Sequence, residues 1–532
     1  MVSYISLDQN NMKKYFAGID AGTTGVSVII FDEEGFIASS GYCEYSTKHP
    51  LPGWVDQNMN ELWEGVCKAS REATSKFEGN LEDIKSIGLS SQRGSFVPID
   101  ENWVPLTYAI VWSDGRATKE TQWIIDNIGK EEYYNITGLI PSSLWVYPKI
   151  KWIMDNKPEI YKKTWKFVNG QEWVLNKLGS NEVFSAPSAL NYNGMFDIKT
   201  LDWSETLLDA IGLDKNKLPP ILHDLRIVGN VSKEAAKLTG FLEGTPLSPG
   251  GGDQQCAAVG SGVNREGIAE LSMGTAAVMV AQVDDISKVN YDVDIGVSFG
   301  SHAIPQKWDM EGTAHSAGMA LRWWRDTYGQ IEKELGRIIG VDPYDIITLE
   351  ASKAPIGCRG LIFFPYFNGQ ATPYYHDNAR GGLIGLTQIH DRKHSARAVL
   401  EGIIYELRMT VEAMEEALGK PFETIRLSGG GARSEFWVQM QADIYGRPIE
   451  RLKVSECAAM GAAILGGVAT GDLESIDIAI ENMIHTYGVV EPNMENHKIY
   501  TEMYNMFKKT FLALKDAGVY NELSEIAIKY GG

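Results

Sequence analysis

The chain has 532 residues, of which 44% are hydrophobic and 22% charged, the balance of a globular protein with a sizeable buried core. Such a length excludes a single compact core and indicates roughly three or four units, or two large domains with insertions. The formal net charge is −20, and a field of that sign repels phosphate backbones. We therefore expect no nucleic acid and no membrane among the partners.

The five cysteines are scattered and form no C-x-x-C pair, so we predict neither a disulfide framework nor a zinc site. The first residues lack the apolar core of a signal peptide, and no run approaches the ~20 apolar residues of a membrane span. The expected location is the cytoplasm.

The first strong element is the segment 16–35, where two β-rich runs flank the turn Asp-Ala-Gly-Thr-Thr-Gly at 20–25. This pattern predicts a hairpin with a glycine-bearing tip. The segment 267–285 repeats the same strand–turn–strand order around Gly274 and Thr275. A second internal repeat links 82–100 with 422–437, since each is a short β-rich run that ends in Leu-Ser and a small-residue loop. Two similar modules are therefore expected, with the seam near 250–267.

Helical periodicity is clear in the segments 60–77, 395–418 and 501–518. Asn60 is the predicted N-cap of the first helix, because acidic residues follow closely behind it. Strands that alternate with such helices predict α/β layers rather than a β-sandwich or a helical bundle.

Three glycine-bearing turns are candidates for phosphate contact, namely 22–24, 274–275 and 429–431. Neither a P-loop nor a G-x-G-x-x-G after a strand occurs. Glycine lets a backbone approach a phosphate closely, and threonine adds a hydroxyl donor. Each turn alone is more typical of a plain turn, but their mirrored positions in two halves favour two phosphate loops that face one nucleotide.

Two aspartates stand at such turns. Asp20 comes directly before the first loop, a usual place for a carboxylate that holds Mg²⁺ beside a triphosphate. Its structural alternative is an Asx-turn residue. Asp253 follows a glycine run and suits the carboxylate that accepts the proton of an attacking hydroxyl. A helix N-cap is the alternative for Asp253, and both roles are compatible.

The segments 91–94 and 112–116 place aromatic and hydrogen-bonding side chains after apolar runs, which suits a sugar or polyol pocket. Tryptophan is more often a core residue, and a surface salt bridge is the alternative for Arg93.

These motifs together resemble the FGGY carbohydrate kinase family, most closely its xylulokinase branch. The first half contributes GIDAGTTGVSVIIFD, LPGWVDQN, AIVWSDGRA and LDWSETLLDAIGL. The second half contributes GGGDQQCAAVGSG, ELSMGTAAV, FFPYFNGQATPYYHDNARGGLIGLT, ARAVLEGIIYELR and LSGGGARSEFWVQMQADI. The resemblance covers about residues 15–515.

The resemblance implies an α/β fold of two ribonuclease-H-like, actin-type ATPase domains with a cleft between them. The implied division is an N-terminal extension at 1–14, a sugar-binding domain at 15–262 and a nucleotide-binding domain at 263–532. It also implies ATP-dependent phosphorylation of a sugar or polyol hydroxyl, with ATP and Mg²⁺ as cofactors. A homodimer is compatible with the sequence.

By position, the resemblance makes Asp253 the catalytic base and Asp20 the magnesium-associated carboxylate. The implied substrate-side residues are Arg93, Gly94, Trp112, Asp253 and Gln254. The implied nucleotide-contacting residues are Thr23, Thr24, Gly274, Thr275, Gly318, Gly429, Gly430 and Ser434.

One departure from the family pattern concerns the substrate. Xylulokinases usually carry Met-His, and glycerol kinases Arg-Glu, where this chain has Arg93 and Gly94. An arginine there can bond a carboxylate bidentately or several hydroxyls. D-Xylulose, converted to D-xylulose 5-phosphate, is the first expectation. Gluconate, glycerol- or erythritol-type polyols, ribulose and autoinducer-2 stay open, as does a non-kinase actin-like ATPase.

Overall fold

A computed structural model describes residues 13–530 of the chain. The predicted N-terminal extension at 1–14 falls almost wholly outside the described residues. Two large sheets organise the fold. In the first sheet the strands lie in the order Gly229–Asn230, Pro246–Gly252, Ile84–Ser91, Tyr15–Ala21, Gly25–Asp32 and Ile37–Glu44. In the second sheet the order is Ser298–Ser301, Trp308–Ala314, Ala277–Val283, Ile268–Met273, Thr424–Gly429, Ile449–Leu452 and Thr486–Val490.

The two sheets are built on one plan. The strand Tyr15–Ala21 pairs antiparallel with its hairpin partner and parallel with Ile84–Ser91. The strand Ile268–Met273 likewise pairs antiparallel with the strand after it and parallel with Thr424–Gly429. Both predicted hairpins and both predicted internal repeats are confirmed. The chain is a two-domain α/β protein of the ribonuclease-H-like, actin-like fold.

Helices and small sheets surround the two large sheets. The longer helices are Met59–Lys76, Arg392–Leu418, Cys457–Thr470 and Met494–Asp516. The others are Thr118–Asn127, Lys130–Thr137, Val146–Asn156, Pro158–Lys163, Gly170–Leu178, Glu205–Ile211, Lys233–Thr239, Asp253–Gly260, Ala317–Thr327, Gln330–Ile339, Pro343–Ala351, Glu435–Tyr445, Ile476–Met483 and Val519–Tyr530. A four-stranded sheet joins Asp56–Gln57, Ala109–Ile110, Phe96–Ile99 and Lys166–Asn169. Two-stranded sheets pair Phe196–Asp197 with Asp202–Trp203 and Ile362–Phe364 with Gly382–Ile384.

The three predicted helices are present, and each begins earlier than expected, at Met59, Arg392 and Met494. The first helix also has a different N-cap. Its N-cap is Asn58, whose side chain accepts a hydrogen bond from the backbone N–H of Asn60 at 3.0 Å. The prediction of Asn60 as N-cap was therefore wrong. An Asn stands at both positions, and only the one whose amide oxygen reaches the free N–H groups can cap the helix.

The helix Cys457–Thr470 joins the two halves, because it packs against the first sheet. A β-carbon on Gly88 would overlap the carbonyl oxygen of Ala462, and one on Gly18 would overlap that of Ala459. The same helix crosses Asp253–Gly260 equally closely, since a β-carbon on Gly461 would overlap a backbone carbonyl of that helix. This close packing fixes the base of the cleft between the domains.

Substitution Gly88→Ala tests this packing. We expect a loss of about 1–3 kcal/mol in the free energy of unfolding, because the added methyl group forces the helix Cys457–Thr470 away from the strand. Gly382→Ala is the matched control, since a β-carbon there meets no atom within 4 Å. Denaturant unfolding of both variants measures the difference, and equal stability of the two would contradict the close contact.

Of the helices within residues 13–530, none combines the length and the apolar character that a membrane crossing requires.

Candidate active site

Asp253 stands where the first sheet meets the cleft. The strand Pro246–Gly252 ends there, and Asp253 is the first residue of the helix Asp253–Gly260. The N-cap is Gly252, so the N-cap alternative for Asp253 is wrong. Gly250, with φ +59°, allows the chain to pass close to the backbone of Leu89 before the helix. The N-terminal end of a helix also favours a carboxylate electrostatically.

The carboxylate of Asp253 is held by two donors. Its Oδ1 accepts hydrogen bonds from Nε of Arg93 at 3.0 Å and from the backbone N–H of Gln254 at 2.9 Å. Burial raises the pKa of Asp253 above its ordinary value, while the positive charge of Arg93 opposes that rise. Since 27% of the side chain stays exposed, the carboxylate is both oriented and accessible.

Arg93 is a buried residue at the meeting point of the domains. Its Nη1 donates to Glu311 Oε2 at 2.8 Å and its Nη2 to Glu311 Oε1 at 3.3 Å. The guanidinium lies 4.2 Å from the ring centroid of Tyr192, whose hydroxyl also donates to Glu311. The alternative of a surface salt bridge is wrong, because both side chains of the Arg93–Glu311 pair are 4% exposed. Desolvation works against the charge of Arg93, but Glu311 holds the pKa of the guanidinium well above its usual value.

Glu311 and Tyr192 were missed in the sequence. The signal that could have found Glu311 is the pair of acidic residues, Asp309 and Glu311, two positions apart in an otherwise apolar and small-residue strand. Both are almost fully buried. Two buried carboxyl groups on one face of a strand indicate a functional cluster. Tyr192 lies in a loop and carried no distinguishing pattern.

A cavity of about 480 Å³ opens beside these residues. Its lining includes Thr23, Arg93, Trp112, Trp145, Tyr192, Asp253, Gln254, Val278, Glu311 and Tyr375. Both domains contribute walls, and the mixture of aromatic faces and hydrogen-bonding groups suits a small polyhydroxy ligand. Four of the five predicted substrate-side residues line it directly.

The fifth, Gly94, shapes the wall. It has φ +70°, and a β-carbon on it would lie 3.1 Å from Cβ of Tyr192 and 3.2 Å from Cβ of Trp112. Trp112 is fixed from its other side, because its Nε1 donates to Oγ1 of Thr23 at 2.9 Å. Thr23, expected on the nucleotide side, therefore lies in the wall of this cavity.

Within the segment 112–116, only Trp112 faces the cavity. Asp114 accepts hydrogen bonds from Nε and Nη2 of Arg116 at 2.8 Å, and Arg116 stacks 4.2 Å from the ring of Trp54. These two polar residues hold the loop in place rather than line the pocket, and they thereby position Trp112.

A second cavity, of about 210 Å³, lies on the other side of Asp253. It is lined by Asp20, Asp253, Gln254, Ala257, Ser272, Ser428, Ser455, Glu456, Cys457, Ala458 and Ala459. Asp20 lies in a strand that runs one residue further than predicted, to Ala21. Its Oδ1 accepts from Ser90 Oγ at 2.7 Å, whereas a backbone bond from Gly22 to Gly25 closes the turn. The Asx-turn alternative is not supported.

The donor set of this second cavity fits magnesium. Carboxylate and hydroxyl oxygens are the ligands that Mg²⁺ prefers, and it is usually held by one or two carboxylates together with phosphates. Burial raises the pKa of Asp20 to about 7, with smaller contributions from the negative charges of Asp253 and Glu456. A cation would relieve this repulsion. Residues 13–530 contain no group of three or more acidic, His or Cys side chains placed to hold a metal by themselves.

A third cavity, of about 360 Å³, lies in the second domain. Of the predicted nucleotide-contacting residues, its lining includes Gly274, Thr275, Gly318, Gly430 and Ser434. The backbone N–H of Gly318 donates to the carbonyl of Gly274 at 3.0 Å, which ties the glycine turn to the helix Ala317–Thr327. Arg322 and Arg433 also line it and were missed. An arginine can bind a phosphate bidentately, and two aspartates, Asp342 and Asp345, line the same cavity.

The two remaining predicted nucleotide residues lie elsewhere. Thr24 is exposed in the hairpin turn, and its carbonyl accepts from the backbone N–H of Tyr45 at 3.1 Å. Gly429, with φ +75°, packs its backbone against Met273 behind the glycine turn. The structure thus brings most of the predicted residues to one interdomain cleft with three adjoining cavities.

Comparison with known proteins identifies the class. Residues 15–260 match the family model of the FGGY carbohydrate kinases, N-terminal domain, and residues 269–470 match the C-terminal domain. The chain belongs to the FGGY family of carbohydrate kinases. It is a phosphotransferase with an alcohol group as acceptor and ATP as the phosphoryl donor, so the non-kinase alternative is dropped.

The similar proteins differ in the substrates their names state. A xylulose kinase of Staphylococcus epidermidis is 31% identical, with 95% of this chain and 98% of the relative covered. A gluconokinase of Bacillus licheniformis is 30% identical, with 97% of this chain and 98% of the relative covered. A glycerol kinase of Thermococcus gammatolerans is 31% identical, with 91% of this chain and 94% of the relative covered. The crystal structure of a ligand-bound xylulose kinase from Lactobacillus acidophilus matches with a TM-score of 0.86 at 25% identity, covering 96% of this chain and all of that one. Overall similarity therefore leaves the substrate open.

Proposed function

We propose that this enzyme transfers the γ-phosphoryl group of ATP to a hydroxyl of a small open-chain sugar, with D-xylulose as the substrate and D-xylulose 5-phosphate as the product. The observation that carries the proposal is the position of Asp253, which lines both the 480 Å³ cavity and the 210 Å³ cavity. A sugar hydroxyl in the first and a phosphoryl group in the second would meet at its carboxylate.

In the proposed mechanism, Asp253 orients the attacking hydroxyl and accepts its proton as the new oxygen–phosphorus bond forms. The bond between the γ-phosphorus and the β,γ-bridging oxygen breaks, and ADP leaves. Arg93 holds Asp253 through Nε and prevents the carboxylate from rotating away. Trp112, Gly94 and Gln254 form the sugar-side walls. With the domain division that we propose at 262–263, these residues belong to the first domain and the nucleotide cavity to the second.

The nucleotide side supplies charge stabilisation. Gly274, Thr275, Gly430 and Ser434 line the nucleotide cavity. Their small side chains would let phosphates approach the backbone, and the hydroxyls of Thr275 and Ser434 would add hydrogen-bond donors. Asp20 would hold Mg²⁺, which when bound neutralises charge on the transferring group. Closure of the cleft would exclude water from the phosphoryl group and so suppress ATP hydrolysis. Since ATP is the donor, we place the enzyme in the cytoplasm.

A substrate panel tests the proposal. ATP consumption is measured with Mg²⁺ and D-xylulose, L-xylulose, ribulose, glycerol, erythritol, gluconate or the autoinducer-2 precursor. We expect the highest kcat/KM with D-xylulose. Preference for another compound would replace the proposed substrate while leaving the kinase class intact.

The pH dependence of kcat/KM gives a second check. Asp253 must be ionised to accept a proton, and burial raises its pKa. Activity is therefore full at pH values above this raised pKa and falls as the pH drops through it. We expect the acid limb of the profile to lie above the ordinary aspartate value of about 3.9. ATP affinity measured over the same pH range separates this limb from changes in nucleotide binding.

Removal of the Asp20 carboxylate tests the magnesium site. In Asp20→Asn we expect the part of ATP affinity that depends on Mg²⁺ to fall by about tenfold or more, because an amide is a weaker ligand for a hard cation. Calorimetric titration of ATP with and without Mg²⁺ measures this. Equal Mg²⁺ dependence in the variant and the natural enzyme would remove Asp20 from the site.

A further inference from the structure

Glu311 is a buried carboxylate in the wall of the sugar-side cavity. It lies on the strand Trp308–Ala314 of the second sheet, with 4% of its residue surface exposed. Its two carboxylate oxygens accept hydrogen bonds from Nη1 and Nη2 of Arg93, and the hydroxyl of Tyr192 donates a hydrogen bond to Oε1. A residue of one domain thus binds the arginine of the other inside the substrate cavity.

The bonding pattern uses both edges of the Arg93 guanidinium. A guanidinium carries five N–H donors and offers a carboxylate two bidentate edges, one at the paired Nη atoms and one along Nε. Glu311 occupies the first edge and Asp253 takes Nε on the second. The aromatic ring of Tyr192 covers a face of the same group. Each edge therefore has at least one donor in use, and neither can bind a carboxylate of the substrate bidentately.

The charge of the cavity points the same way. Its acidic and basic lining residues are Arg93, Asp253, Glu311 and Asp377, and the other ionisable groups are His315 and two tyrosines. Two of the three carboxyl groups are bonded to the one arginine, and the third, Asp377, is exposed in the same lining. An anionic substrate would meet repulsion there, whereas a neutral polyhydroxy compound would find oxygen acceptors and the two spare N–H donors of Arg93.

We propose that Glu311 is a specificity-determining residue, an internal carboxylate that occupies the place on Arg93 where the carboxylate of an aldonate would bind. It restricts the enzyme to neutral sugars and polyols. Through Arg93 it is also a positioning residue for Asp253. This inference rests on the proposed function and deepens it, because relatives named xylulose kinase and gluconokinase are equally similar overall.

The test is the variant Glu311→Gln, compared with the natural enzyme on D-xylulose and on gluconate. Loss of the negative charge frees Arg93 for a substrate carboxylate. We expect kcat/KM for gluconate to rise at least about tenfold and that for D-xylulose to fall by a similar factor. Calorimetric titration with gluconate in the absence of ATP should show binding in the variant alone.

A pH profile separates specificity from mere structural damage. The negative charge of Glu311 helps to raise the pKa of Asp253, whereas the positive charge of Arg93 lowers that pKa. In Glu311→Gln the acid limb of kcat/KM should therefore move to lower pH. Glu406→Gln is the matched control, since Glu406 is another buried glutamate of the second domain, 1% exposed, away from the cleft cavities. It should change neither selectivity nor the acid limb.

Two further variants keep the test decisive. Glu311→Asp retains the charge and should retain rejection of gluconate, even if turnover falls. Tyr192→Phe removes one donor to Glu311 but keeps the Glu311 charge and the aromatic ring on Arg93. It should therefore also reject gluconate, and it serves if Glu311→Gln fails to fold. Efficient use of gluconate by Glu311→Asp or Tyr192→Phe would overturn the inference.

The outcomes distinguish this inference from the proposed function. Efficient phosphorylation of gluconate by the natural enzyme would overturn the inference and leave the kinase proposal standing. So would a folded Glu311→Gln with unchanged gluconate binding and an unchanged acid limb. If no neutral sugar were phosphorylated, the proposed function would fail, and gluconate titration would still decide the role of Glu311.

Discussion

Replacement of Asp253 by asparagine is expected to lower kcat by about 10²–10⁴-fold. Asparagine keeps the shape of the side chain and can still accept a hydrogen bond from Arg93, but it cannot take a proton from the sugar hydroxyl. The nucleotide cavity is lined by other residues, so the affinity for ATP should change little. Steady-state turnover and calorimetric titration with ATP measure the two quantities.

Asp477→Asn provides the matched control. Asp477 also lies in the first turn of a helix, Ile476–Met483, and lines none of the three cavities described above. Its variant should turn over normally. Near-normal kcat in Asp253→Asn would remove the general-base role and leave orientation of the hydroxyl as the only contribution of this residue.

The sequence predicted the elements that repeat within the chain. Apolar runs on either side of Gly22 and of Gly274 predicted both hairpins. Such a prediction succeeds because the strand pattern and the turn residues of a hairpin lie next to each other in the sequence. Asp20 was found as a carboxylate directly before the first loop, and Asp253 as a carboxylate that follows a glycine run. Their roles, like those of the other site residues, stay predictions.

Contacts between distant segments could not be predicted. Arg93 and Glu311 are 218 positions apart, and Tyr192 and Glu311 are 119 apart. Nothing near Arg93 in the sequence states that its donors are already taken, so a free carboxylate-binding arginine and an internally paired one look alike. Similarly, Asp114 and Arg116 resembled pocket residues until the structure showed them bonded to each other.

Removal of Arg93 alone should destabilise the protein strongly. In Arg93→Met, Glu311 would remain buried with the hydroxyl of Tyr192 as its one donor among the contacts described here. An uncompensated buried charge of this kind costs about 3–5 kcal/mol. We expect the free energy of unfolding to fall by that amount, and denaturant unfolding followed by two spectroscopic probes measures it.

The double variant Arg93→Met with Glu311→Met separates stability from catalysis. Replacement of a buried ion pair by apolar side chains of similar volume is often neutral or stabilising, so most of the lost stability should return. Turnover should not return, because Asp253 would still lack the Nε donor that orients it. A single variant that loses less than about 1 kcal/mol would show that the pair is effectively solvated. A double variant that regained activity as well as stability would show that Asp253 is positioned by its own helix, without Arg93.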